Sequence, residues 1–458
     1  MTVIRPGQWW RMATAGMTAA VLLAGCGAND DGEAPNSAPS SAPSPAPIAA
    51  PAPAPAPAQN GSNLKAAADA GAPLSTVDLD AVVAASTAAT LAGASRCDVQ
   101  MVAITYATVA PDGVTPVDAS GVVMLPTGAA CPGPFPLVAY SRGTDLDQAR
   151  AMATSGDEEA QLVAAMVASQ GFVVAATDYL GYARSTWPEH PYLHADSEAS
   201  ANIDALRAAR AVAGQRNIGL NGKIFVTGYS QGGHASMATQ KAIETSLNAE
   251  FALAGAGHMS GPYDLVGSVQ QALAKLPLGD LGSTYYIPFA VTSLQKVYGN
   301  LYSTPSAFFR SPYDATIETL FPGPSDVSLQ DLIAQGKMPL LLSTLVTDDF
   351  VKAALNPASG LHVALSRNSP IGFAPRAPTL LCGGSRDPVV AFANTETAAT
   401  AFQAARATSV SVYDVETEPS YASLLRDGLV PVDIHAGYHA SQVPPLCLLQ
   451  VRNLFLSL

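Results

Sequence analysis

Residues 224–246 run from an apolar segment, "IFVT", through "GYSQG" into "GHASMATQKAIETS", which is rich in small residues. Nothing else in the chain limits the fold as sharply. A strand that enters a helix through so tight a turn is the building step of a sheet covered by helices. The turn fits G-x-S-x-G at Gly228, Ser230 and Gly232. Such a turn lifts the serine out of the sheet, where a base and an acyl carbon can both reach its hydroxyl. Glycine is needed on both sides because neighbouring backbone passes close to a strained residue. The plainer alternative is a glycine-rich turn with no chemistry; the flanking strand and helix favour a nucleophile.

The same rhythm extends along the chain. "CDVQMVAITYATVA" and "VDASGVVMLP" are β-rich and separated by the turn signal "PDGV". Further strands are expected at "FPLVAYS", "FVVAATD", "KIFVTG", "FALAGAGHMSG", "APTLLCGG" and "SVSVYDVE". Helices are expected at "EEAQLVAAMVASQ", at "DSEASANIDALRAARAVAGQ" with Asp196 or Ser197 as N-cap, at "VVAFANTETAATAFQAARA", and after Pro445. Strands alternating with helices imply a mostly parallel sheet behind an antiparallel start. Residues 266–375 break the rhythm with Leu, Tyr and Phe among Pro and Gly, as a cap or lid inserted between core strands would.

The first 25 residues read as an export signal, with Arg5 and Arg11 ahead of a short apolar run. "LAGC", ending in Cys26, resembles a bacterial lipobox, which implies lipidation of Cys26 and a membrane anchor; an ordinary secretory signal is the alternative. Residues 26–63 form a Pro/Ala/Ser-rich linker. If residues 34–58 adopt polyproline II, they reach roughly 75–80 Å. Folded structure is expected from about Leu64. The net charge of -13 argues against nucleic acid as a partner.

Four cysteines remain: Cys97, Cys131, Cys382 and Cys447. Cys97 opens one strand of the expected hairpin and Cys131 follows the end of the other, so those two should pair. Cys382 ends a strand and Cys447 lies in the last helix; a second bridge there would tie two loops together, and two free buried thiols are the alternative. No cysteine pattern suggests a metal. His190 and His194 are spaced i,i+4, but Pro191 between them makes a shared helical face a poor zinc site. No cofactor is expected.

A serine nucleophile needs a base and an acid that orients it. Asp387 follows the strand ending at Cys382, at the edge of a parallel sheet where ligands bind; a turn or capping role is its alternative. Asp414 lies inside a strand, and Asp433 is too near the histidines. His435 and His439 both precede the last helix. His439 is nearer the Pro444–Pro445 start and is followed by small residues, so it is the first choice and His435 the alternative. His234, one turn after Ser230, is expected to be a packing or capping residue.

The segments "DYLGYARS", "HPYLHADSEA", "IDALRAAR", "GYSQGGHASMAT", "CGGSRDPVV" and "YHASQVPPLC" resemble the secretory-lipase type of α/β-hydrolase. That resemblance implies an α/β-hydrolase core over residues 64–265 and 376–458, and ester hydrolysis through an acyl-enzyme on Ser230, Asp387 and His439. It also supports His439 over His435. An oxyanion hole is expected from the backbone N–H of Gln231 and, in the loop after "PLVAYS", of Thr144; relatives often carry His-Gly-Thr there, and Arg142 departs from that pattern. The expected substrate is a small or lipid-like ester. A peptidase or other acyl hydrolase on the same scaffold, and a non-catalytic surface binding protein, are the alternatives.

Overall fold

The computed structural model describes residues 63–280, 282–323, 329–419 and 437–458. Among these residues nine strands form one sheet: β1 (Leu64–Asp69), β2 (Asp98–Val109), β3 (Pro116–Thr127), β4 (Phe135–Ser141), β5 (Val173–Tyr179), β6 (Leu220–Tyr229), β7 (Leu253–Met259), β8 (Thr379–Gly383) and β9 (Val410–Asp414). Their order is β1-β2-β3-β5-β4-β6-β7-β8-β9. β1, β2 and β3 pair antiparallel, and β3 meets β5 antiparallel; every later pair is parallel. The switch follows from the connections. The β2–β3 link is a tight turn in which the Asp112 carboxylate accepts from the Val114 and Thr115 amides, whereas each parallel pair needs a crossover.

β5 and β8 are buried along their whole length, as strands covered on both faces must be. Successive residues feed opposite cores. Val138 packs with Met124, Phe225 and Phe455 on one face, and Leu137 with Ile104, Val226 and Leu206 on the other. The first face carries α1 (Thr76–Ala84), α2 (Glu158–Met166) and the closing helix Val443–Ser457; the second carries α3 (Ala195–Gln215) and α4 (Gln231–Ser246). Between β7 and β8 runs a helical insertion that includes α5 (Leu265–Ala274) and α6 (Ser283–Tyr298). It builds a core of its own around Phe289, Leu294, Phe309, Leu345, Phe350 and Leu361.

Several boundaries differ from expectation. α3 is capped by neither Asp196 nor Ser197: the ring of His194 accepts from the Ser197 amide instead. Burial, with Arg367 and His234 nearby, pushes the His194 pKa down to about 3, so the ring keeps a lone pair for capping. The helix expected from Val389 starts at Ala393, because the Val389 and Val390 amides are given to Asp387. The closing helix begins at Val443, with both prolines in its first turn, where a missing N–H costs nothing. α1 and β1 carry weak signals. α1 is short and held by a capping box between Ser75 and Asp78, and β1 is an alanine-rich edge strand. Disulfides join Cys97 to Cys131 and Cys382 to Cys447.

Candidate active site

Ser230 sits between β6 and α4 with φ +59° and ψ -120°, a conformation L-residues rarely adopt. The neighbours show why the turn needs its glycines. A Cβ on Gly232 would stand 1.8 Å from the Ser141 carbonyl oxygen, and one on Gly228 would stand 2.2 Å from the Gly232 carbonyl oxygen. The Ser230 amide donates to the Met259 carbonyl at 2.9 Å, which fixes the elbow against β7.

The structure brings Asp387 and His439 to this serine. His439 Nε2 lies 2.8 Å from Ser230 Oγ, and His439 Nδ1 lies 2.6 Å from Asp387 Oδ2. The other oxygen, Oδ1, accepts from the Val389 and Val390 amides at 2.9 and 3.0 Å. An ionised carboxylate only accepts, so the proton of the neutral ring belongs on Nδ1 and the Nε2 lone pair faces the serine hydroxyl. The Asp387 and His439 side chains are nearly buried. His435 lies outside the described residues, as do Asp433 and Cys26.

His439 precedes the closing helix, as the sequence suggested, and lies on a π turn, Tyr438–Gln442, that runs into it. Such wide turns re-aim side chains that regular helix would hold elsewhere. The turn is pinned twice. Tyr229 donates its hydroxyl to the His439 carbonyl at 2.6 Å, and Thr87 donates to the Gln442 carbonyl at 2.7 Å. Tyr229 went unnoticed in the sequence, although it fills the first variable position of G-x-S-x-G; burial raises its pKa well above the ordinary phenol range, so it remains a donor.

The loop after β4 runs beside the elbow. The Gly143 amide is taken by the Glu159 carboxylate at 2.9 Å, which also accepts from Tyr140 and from Arg150. Arg142 is fully buried; its guanidinium lies over the Tyr182 ring at 4.2 Å and donates to the Asp178 carbonyl. Thr144 Oγ1 lies 2.9 Å from the Tyr192 hydroxyl. Above Ser230 a cleft opens between core and insertion, walled by Leu193, Leu265, Val269, Ala272, Ile287 and Val390.

The other histidines that sequence singled out do not join this group. His190 is enclosed by Tyr179, Tyr182, Tyr192 and Phe289, and burial, then the Arg142 charge, pushes its pKa down to about 3. His234 is fully buried, with Nδ1 2.6 Å from Glu198 and Nε2 2.6 Å from the Asn368 carbonyl. Among the described residues no group of three or more His, Cys, Asp or Glu side chains is arranged to hold a metal, and no helix is long and apolar enough to cross a membrane.

The secretory lipase family pattern matches residues 147–303. No curated protein sequence matches the chain. Among solved structures, a ligand-bound form of the rice cell wall degrading esterase LipA from Xanthomonas oryzae is 33% identical with a TM-score of 0.75, over 85% of this chain and 97% of that one. Candida antarctica lipase A in its closed state is 17% identical with a TM-score of 0.55, over 86% of this chain and 91% of that one, a likeness of fold. A third of the residues shared along nearly the whole of an esterase, at a TM-score of 0.75, leaves one assignment: the chain belongs to the secretory-lipase type of α/β-hydrolase, the serine hydrolases of carboxylic esters.

Proposed function

We propose that this esterase works through Ser230, His439 and Asp387, and the observation that carries the reading is the unbroken chain of hydrogen bonds from Asp387 Oδ2 through the imidazole to Ser230 Oγ. His439 Nε2 takes the hydroxyl proton as Oγ attacks the ester carbonyl. Asp387 holds the ring by Nδ1–H and stabilises the imidazolium. His439 then returns the proton to the leaving alcohol, and a water repeats the sequence on the acyl-enzyme to release the acid.

The oxyanion that forms is met by the Gln231 amide, in the first turn of α4, where helix N–H groups have no intrahelical partner. The second donor is the Thr144 amide. Glu159 occupies the neighbouring Gly143 amide, which leaves Thr144 as the next N–H along a loop whose Ser141 and Arg142 carbonyls already press against the elbow. The apolar wall of the cavity suits an acyl group with an alkyl or similar chain.

The protein is an exported one. Anchoring by lipid on Cys26, with residues 26–63 as spacer and 266–375 as a cap over the site, completes the reading. An alkyl fluorophosphonate should label the protein once, at the peptide holding Ser230, and abolish ester hydrolysis in proportion to labelling. Label at any other residue with full loss of activity overturns the assignment. Replacing Cys26 by Ser should move the protein from the membrane to the soluble fraction.

A further inference from the structure

We propose that Glu198 is a positioning residue for ester hydrolysis, holding the oxyanion donor Gln231 in place through the Gln231 side chain. The inference rests on the reading that the Gln231 amide binds the oxyanion.

Glu198 lies in the first turn of α3 and is 1% exposed. A buried carboxylate costs several kcal/mol unless its oxygens are paired. Both Glu198 oxygens are spent on the segment that follows the nucleophile. Oε1 accepts from Gln231 Nε2 at 2.8 Å, and Oε2 faces His234 Nδ1 at 2.6 Å. The second N–H of the Gln231 amide goes to His190 Nε2 at 2.7 Å. His190 is free to accept there: its Nδ1 lies 2.8 Å from the Leu180 carbonyl, which only accepts, so the ring proton sits on Nδ1 and Nε2 keeps a lone pair. Both amide hydrogens of Gln231 are thus fixed by acceptors that are themselves fixed.

The backbone N–H and the side chain of Gln231 share one Cα. With the side chain clamped at its far end, the peptide plane between Ser230 and Gln231 has little freedom to turn, and that plane carries the donor. Ser230 itself is strained, so a hold just beyond it opposes relaxation of the elbow. His234 extends the hold outward. Its two ring nitrogens face the Glu198 carboxylate and the Asn368 carbonyl, both acceptors, so the ring satisfies them with both N–H groups present. Asn368 in turn receives the Ala195 amide and donates to the Tyr298 hydroxyl on α6. One carboxylate therefore ties the oxyanion donor to the insertion above it.

The clamp explains what Glu198→Gln should do. A glutamine oxygen can keep the Gln231 bond while its NH₂ donates to His234 Nδ1, with the single ring proton moved to Nε2 for Asn368. Every partner stays satisfied without a charge. Glu198→Ala has no such solution.

The test uses the purified full chain and four readouts: folding, kcat, KM and affinity for an alkyl boronic acid, which adds to Ser230 and places a boronate oxygen where the oxyanion forms. Glu198→Ala should lower kcat on the order of tenfold to a hundredfold, less than the ~100- to 1,000-fold of an absent donor. KM should change little, and boronate affinity should fall with kcat. Gln231→Met, which leaves the Glu198–His234 pair intact, should reproduce the loss, the double variant should not multiply it, and Glu198→Gln should recover most of it. Unchanged kcat in folded Glu198→Ala and Gln231→Met overturns the proposal, as does a kcat loss with boronate affinity unchanged. If the boronic acid fails to react at Ser230 in the unaltered protein, the catalytic reading itself falls.

Discussion

Cys382, the next-to-last residue of β8, is bonded to Cys447 in the first turns of the closing helix, across 65 residues of chain. The bridge joins the strand that delivers Asp387 to the helix that His439 precedes. The proposed acid and base thus sit on two arms of one covalent link.

Removing that link with Cys382→Ala and Cys447→Ala should cost stability through the larger denatured ensemble, up to about 4 kcal/mol for a loop of this size. The Cys97–Cys131 bridge closes 34 residues, and its removal should cost a similar amount. Only the first should also lower kcat below the unfolding transition, because only it frees the two arms. Denaturant unfolding and kinetics on both variants check this; equal kinetics would show that the bridge is structural alone.

The two C-terminal histidines separate cleanly. His439→Ala should fall on the order of 10⁶-fold in kcat, since triad members act as a unit. Asp387→Asn should fall about 10⁴-fold with folding intact, because the asparagine amide favours the wrong ring tautomer. His435→Ala should keep most of its activity. Steady-state hydrolysis of a p-nitrophenyl ester by the three folded variants decides between the two histidines.

Burial lowers the pKa of His190, His194 and His258 to about 3 each. The unfolded value lies near 6.5, so between pH 3 and 6.5 the unfolded chain binds protons that the folded chain refuses. Stability is therefore complete above pH 6.5 and is lost as pH falls, on the order of 2 kcal/mol per histidine by pH 5. Calorimetric unfolding at pH 5.5 in buffers of different ionisation enthalpy should show uptake of about three protons; uptake of fewer than one would contradict burial of these rings as neutral species.

Much of the site was legible because it lies at the ends of elements with strong patterns. The turn at Ser230 is marked by two glycines whose added Cβ atoms would collide with backbone, and Asp387, the proposed acid, follows a short apolar strand. His439 was reached through the prolines of the closing helix, although the π turn that aims it has no signature in "YHASQV". What stayed hidden depends on contacts far apart in sequence. Glu198 and His234 are 36 residues apart, and Glu159 meets Gly143 across 16. His194 was passed over as a cap because histidine serves only when burial keeps it neutral. Leu365 of the insertion belongs both to its core and to the cavity wall, a double role that composition does not reveal.

Hydrolysis of a p-nitrophenyl ester by Ser230→Ala, with the unaltered protein as reference, bears on everything above. If Ser230 is the nucleophile, kcat falls on the order of 10⁶-fold, to what the oxyanion hole and binding alone supply, while the variant stays folded. A folded Ser230→Ala that keeps a tenth of the turnover would mean the ester is cleaved by other means, and the roles given to His439, Asp387 and Gln231 would fall with it.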